Sequence, residues 1–261
     1  MIGNIAAAVT GGGVPPFSPL NVSNLKAWYD ASDTATITVS GTAVSQWNDK
    51  SGNAYNLTQS TTNFKPQSGT RTQNGKNMLD YDGGDLLQAS TASDWTFMHN
   101  ATGCTVFMAI FIDNTASNMY MIDTTGGTSS QTGVVVYRAS AQLSGYITRG
   151  VNGTYNCIAD NQGALTANTA KYWYNKLNAA ASPVSGRSLG SVNNSSESGN
   201  NVETGSLSTG SPFHGLYVGH WNTAYGEGVD GGICEVIIYS GAVSAGDITK
   251  INTYLAAKWG I

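Results

Sequence analysis

Charge is scarce in this chain. Only 11% of its 261 residues are Asp, Glu, Lys or Arg, and the formal net charge is −4. That surface offers no basic footprint for nucleic acid or for an anionic membrane. Glutamate is scarcer still: Glu197, Glu203, Glu227 and Glu235 are the full set. No E-x-D-x-x-E strand motif occurs, so no carboxylates are spaced along one strand for a retaining glycosidase. His99, His214 and His220 are the only histidines and have no metal-ligand spacing. G-x-S-x-G and H-E-x-x-H are both missing. These absences lead to the expectation that the chain is not an enzyme. The three cysteines, Cys104, Cys157 and Cys234, are odd in number and far apart, which implies no disulfide framework. Cys104 and Cys234 lie in apolar runs and read as small core residues. No apolar run approaches the ~18 residues of a membrane-spanning helix. The start, MIGNIAAAV, lacks a basic segment and its apolar run Ile5–Val9 is short, so a secretory signal is not expected there.

Gly, Ser, Thr and Asn are plentiful instead, the composition of many short strands joined by turns. The length suits a single all-β domain. The clearest stretch is the last one, from Gly231 onward. Ile233–Tyr239 is a short β-branched apolar run, hence a buried strand. Ser240-Gly241 makes a turn. Ser244 stands three residues before Asp247 as a helix cap, and Ile248, Ile251, Leu255 and Trp259 share one helical face up to the stop at Gly260. Further strands are expected at Leu25–Tyr29, Thr105–Ile112, Met119–Asp123, Val134–Arg138, Leu143–Thr148, Lys171–Leu177 and Phe213–Gly219, with a polar loop over Val192–Gly205. Thr105–Ile112 (TVFMAIFI) is apolar on both alternating faces, whereas a strand between two sheets needs only one. Something must cover its second face, and the C-terminal helix is the candidate.

Three blocks carry a family resemblance. WYDASDTATIT with VSQWNDKSGN, then NGKNMLDYDGGDLL, then GGICEVIIYSGAVSAGDITKINTYLAAKWGI resemble, in that order, the laminin-G-like, concanavalin-like domains of bacterial and phage proteins. Gly241 and Gly246 depart from that pattern, the latter weakening the first helical turn by about 1 kcal/mol. The resemblance implies an antiparallel jelly-roll β-sandwich with a short C-terminal helix, over residues 21–261. Residues 1–20 read as an extended N-terminal arm: Gly11-Gly12-Gly13 is flexible, and Pro15, Pro16 and Pro19 exclude helix. Its opening MIGNI is similar to the leaders of phage virion proteins. The arm's aliphatic anchors are Ile2, Ile5 and Val9.

From these features the expected function is a non-enzymatic virion accessory protein, in a capsid or tail, that displays a lectin-like domain. A bacterial carbohydrate-binding or adhesion module, and a glycoside hydrolase without its usual motif, are the alternatives. The partners would be other virion proteins reached through the arm, surface glycans, and, in a homo-oligomer, further copies of the chain. The location would be the virion surface or, in the alternative, extracellular. Trp221, Asn222 and Tyr225 are the candidate glycan-binding residues, because exposed aromatics stack on sugar C–H faces while amides bind hydroxyls; they serve equally as packing lids. No cofactor is expected apart from calcium, which the loop acids Asp80, Asp82 and Asp85 would suit, although Asp and Asn also populate turns for local reasons.

Overall fold

The computed structural model describes residues 16–114, 118–126, 131–149, 155–202, 208, 210–221 and 227–261. The anchors Ile2, Ile5 and Val9 lie outside them. Among the described residues the chain is mostly antiparallel β with a single α-helix at its end. The first strands are β1 (Leu25–Asp30), β2 (Ile37–Ser40), β3 (Ala43–Trp47), β4 (Leu57–Thr58), β5 (Gln67–Gln73), β6 (Lys76–Asp82), β7 (Leu87–Ala89) and β8 (Cys104–Ile112). They are followed by β9 (Met119–Asp123), β10 (Thr132–Ala139), β11 (Gln142–Arg149), β12 (Tyr155–Asp160), β13 (Thr169–Leu177), β14 (Ser188–Val192), β15 (Asn200–Val202), β16 (Leu216–Val218) and β17 (Asp230–Ser240), and by α1 (Ala245–Trp259). The strands expected from sequence form, except that the expected Phe213–Gly219 strand is reduced to Leu216–Val218. The expected polar loop Val192–Gly205 instead contains the end of β14 and the short β15, whose residues pair with β12.

β17 is the pivot. β8 pairs with it along its whole length, while its other edge pairs first with β6 and then with β1. The change of partner coincides with a register shift between Ile233 and Glu235. That bulge re-aims side chains: Ile233, Val236 and Ile238 enter the main core, whereas Cys234, Ile237 and Tyr239 face a second cluster. Close approach at the start of β17 requires a glycine. A Cβ on Gly231, at φ +145°, would come within 2.0 Å of the Phe111 carbonyl oxygen. From β17 the order continues through β8 and β13 to β14. A second run of strands, β4–β7–β16–β9–β10–β11–β12–β15, is joined to the first through β3 and β5.

The main core lies between these runs. Val106, Met108, Ile110 and Ile112 of β8 meet Leu87, Ile122, Val134, Val136 and Ile147 there. The other face of β8, with Phe107 and Ala109, sits under α1, as the two-faced pattern required. Ile248, Ile251, Leu255 and Trp259 of α1 are all buried against it, each worth about 1.5–3 kcal/mol. The Ser244 hydroxyl accepts the Asp247 N–H at 3.2 Å and donates to the Asp247 carboxylate at 2.8 Å. Gly260 closes the helix in the left-handed region, at φ +68°, with its N–H on the Ala256 carbonyl. The described part of the arm is packed rather than free: Phe17 contacts the Tyr254 ring, and the Pro19 carbonyl accepts the Tyr239 hydroxyl at 2.9 Å.

Candidate functional site

The face of β9, β10 and β11 turned away from the main core carries a row of tyrosines. On β10 and β11, and on β9 before its register shift, alternate residues are core: Val134 and Val136, Leu143 and Ile147, Met119 and Met121. Strand alternation therefore sends Tyr120, Tyr137 and Tyr146 to the opposite side. Tyr120 stands directly across from Tyr137, and Tyr146 lies diagonally across the β10–β11 hairpin. The rings touch in sequence: Tyr120 and Tyr137 are stacked with centroids 5.4 Å apart, and Tyr137 meets Tyr146 edge-on at 5.5 Å. Tyr120 and Tyr137 are half-buried, so each keeps an accessible edge. The hairpin that aligns the row turns on Ser140 and Ala141, at φ 47° and 65°. This two-residue geometry is usually supplied by Asn-Gly, and a Ser-Ala pair carries no such turn signal.

Trp221 closes one end of the row. Its ring lies 5.4 Å from Tyr120, and its Nε1 donates to Glu227 at 3.3 Å. It is only 9% exposed, with its ring packed on this face. Asn222 and Tyr225 lie outside the described residues. At β16, Tyr217 stacks on His214 at 4.7 Å, and the exposed Phe213 meets His214 at 4.4 Å.

A second concave region is acidic. Asp80, Asp82, Asp85, Asp113 and Asp230, with Lys65, line a cleft of about 330 Å³. The acids expected to bind calcium do meet here, but they are differently engaged. Asp80 pairs with Arg71 at 3.1 Å, and the same guanidinium binds Asp113. Asp82 accepts the Gly84 N–H at 2.9 Å. Asp85, 4% exposed, accepts the Asp82 N–H at 3.1 Å. Burial, then the neighbouring Asp82 carboxylate, push the Asp85 carboxyl up to about 7. Among the described residues no group of three or more His, Cys, Asp or Glu is placed to hold a metal ion. Asp80 is thus held by arginine, and the Asp85 carboxyl is pushed toward its neutral form.

Glu235 has a structural role. It is fully buried and accepts four side-chain donors: Trp28 Nε1 at 2.7 Å, and Tyr254 Oη, Lys258 Nζ and Trp259 Nε1 at 2.8 Å each. Lys258 also reaches Asp30 at 2.7 Å. Burial raises the Glu235 carboxyl more than Lys258 lowers it. At Asp30 burial also acts upward, but Lys258, with the Ser32 hydrogen bond and Lys50, holds that carboxyl low. Three of the four donors on Glu235 come from α1, so this cluster fastens the helix to the sheet.

Sequence reasoning named Asp80, Asp82 and Asp85 but missed the tyrosine row, which had no signal beyond single tyrosines in three separate strands.

No protein-family model and no curated protein matches the chain. Solved structures similar to it include Trypanosoma rangeli sialidase in complex with sialic acid, with TM-score 0.56 and 11% identity over 90% of this chain and 33% of that one. The binding domain of botulinum neurotoxin DC in complex with SialylT has TM-score 0.54 and 10% identity over 91% of this chain and 52% of that one. An arabinofuranosidase complexed with arabinofuranosyl-alpha-1,2-xylobiose has TM-score 0.54 and 12% identity over 83% of this chain and 51% of that one. The chain thus spans about a third of the sialidase and about half of the other two. At this identity the likeness is one of fold. It nonetheless corrects the expectation of a non-enzyme: two of these chains are named as glycosidases, so the fold gives no ground for excluding one.

Proposed function

We propose that the chain is a carbohydrate-binding domain of the laminin-G-like, jelly-roll type, which holds sugar against the outer face of β9–β11. The observation that supports this reading is the row Tyr120–Tyr137–Tyr146, three contacting rings on three adjacent strands. Aromatic faces stack on sugar C–H groups, and phenol hydroxyls offer hydrogen bonds at the rim. The fold likeness to chains titled with sialic acid and an arabinofuranosyl xylobiose is consistent with it. The test is a glycan array probed with the full chain and with Tyr137→Ala. Retention of specific glycans by the parent, lost in the variant, is expected; an array with no bound glycan, or one unchanged by the substitution, overturns the reading.

Glycoside hydrolysis at the acidic cleft is a second reading, favoured by the Asp82–Asp85 pair. Burial and the Asp82 carboxylate push the Asp85 carboxyl up to about 7, so it keeps a proton near neutral pH, as a general acid must. Turnover of aryl glycosides, abolished in Asp85→Asn, would support it. The narrower role on a virion, with Ile2, Ile5 and Val9 anchoring the chain to capsid or tail proteins, rests on the leader and the sequence blocks alone. Mass spectrometry of purified particles, with the intact chain and with residues 1–13 deleted, tests it: incorporation that is lost on deletion supports the anchor.

A further inference from the structure

We infer that the ligand of the β9–β11 face is an uncharged sugar, a neutral oligosaccharide and not a sialylated or uronic-acid glycan; this rests on the carbohydrate-binding reading above. Recognition of a sugar carboxylate calls for a cation, most often a guanidinium that binds it in bidentate fashion. The chain has only twelve Lys and Arg residues. Two of them, Arg138 and Arg149, belong to β9–β11. Arg138 stands opposite Leu143 and Met119, is 1% exposed, and donates Nε to the Leu165 carbonyl at 2.8 Å, so it lies on the core side. Arg149 is the last residue of β11, opposite Thr132 and three residues beyond Tyr146. Arg187, which reaches β12 from outside, is engaged with the carbonyls of Ala181 and Asn156 at 3.1 and 3.2 Å. The segments outside the described residues contain no Lys, Arg or His and add one further acid, Glu203.

The side chains next to the row that can carry charge are acids. Glu227 accepts Trp221 Nε1, and its backbone carbonyl accepts the Tyr120 N–H at 2.9 Å, which ties this acid to the edge of β9. Asp123, fully buried on β9, accepts the N–H groups of Thr125 and Gly126 at 2.7 Å each. An anionic ligand over the tyrosine row would meet like charge, an arrangement that rejects it. A neutral ring meets aromatic surface and hydroxyls.

The test is isothermal titration of the full chain with cellohexaose, maltohexaose, xylohexaose and lactose, set against 3′-sialyllactose and hexagalacturonate, at low and high salt. Tyr137→Ala, Tyr120→Ala and Arg149→Ala are titrated alongside, each checked for an unchanged melting transition. Binding of at least one neutral sugar is expected. It should be insensitive to salt, weakened at least tenfold by either tyrosine substitution, and unaffected by Arg149→Ala. Lactose should bind at least as well as 3′-sialyllactose. If only the anionic sugars bind, with affinity that falls in salt or in Arg149→Ala yet still depends on Tyr137, the neutral-sugar inference fails and the carbohydrate-binding reading stands. If no sugar binds, or binding ignores both tyrosines, the reading and the inference fail together.

Discussion

Two sheet faces of this protein turn away from the main core, and both are built from contacting aromatic rings. Under α1, Phe107 lies 5.6 Å from Tyr174 and 6.0 Å from Tyr239, and all three are buried. Across β9–β11, Tyr120, Tyr137 and Tyr146 make contacts of the same length, yet the first two remain half-buried. The difference lies in the cover. The first face has an amphipathic helix with four large apolar residues, fastened by donors that converge on Glu235. Among the described residues no helix lies over the second. Similar ring clusters thus become an inner core in one place and an accessible surface in the other, according to what the chain supplies to cover them.

The sharpest way to break this comparison is to unfasten the helix. Lys258→Met leaves Glu235 and Asp30 without their shared cation, and removing one partner of a buried ion pair costs about 3–5 kcal/mol. Chemical denaturation should report that loss, and an unchanged midpoint would mean that the helix is held by apolar docking alone. Leu255→Ala empties a fully buried site beneath the helix and should cost about 2–5 kcal/mol. It should leave sugar binding at β9–β11 intact, since the two faces lie on opposite sides of the main core.

The third effect is a pH slope. Burial pushes the Asp85 carboxyl up to about 7, above the ordinary carboxylate value of about 3.9. The folded state therefore binds this proton more tightly than the unfolded chain does. Its contribution to stability is complete below about pH 4 and is lost as pH rises through about 7. Melting curves between those values should show this loss, and Asp85→Asn should flatten the slope. The smallest effect on stability is expected at the accessible face. Tyr137→Ala, at a half-buried position, should cost no more than about 1 kcal/mol, while weakening sugar binding about tenfold or more, which is about 1.4 kcal/mol of binding free energy. A large stability loss there would make the row a second buried core and erase the contrast.

Much of the framework is legible in the sequence. The apolar run Ile233–Tyr239, the Ser244 cap and the Ile248–Ile251–Leu255–Trp259 stripe are local patterns with local causes, and each forms where expected. The doubled apolar face of Thr105–Ile112 even indicates that a covering element is needed. The candidate sites are less legible. Trp221 is named from sequence as a candidate, yet Tyr120 and Glu227 take up its ring and its indole N–H. Asp80, Asp82 and Asp85 come together as expected, but Arg71, nine residues before Asp80 along the chain, changes what they can bind.

What the sequence determined by itself is the set of strands and the closing helix, because alternation and helical periodicity act over a few residues and are written in them. It also determined the poverty of cations, which no folding can alter. The tertiary structure alone decided which tyrosines share a face, which acid holds its proton and which glutamate fastens the helix. Those outcomes depend on strand register, on the bulge before Glu235 and on burial. Each of these brings together residues such as Trp28 and Glu235, 207 positions apart in the chain, and no local pattern encodes such a meeting.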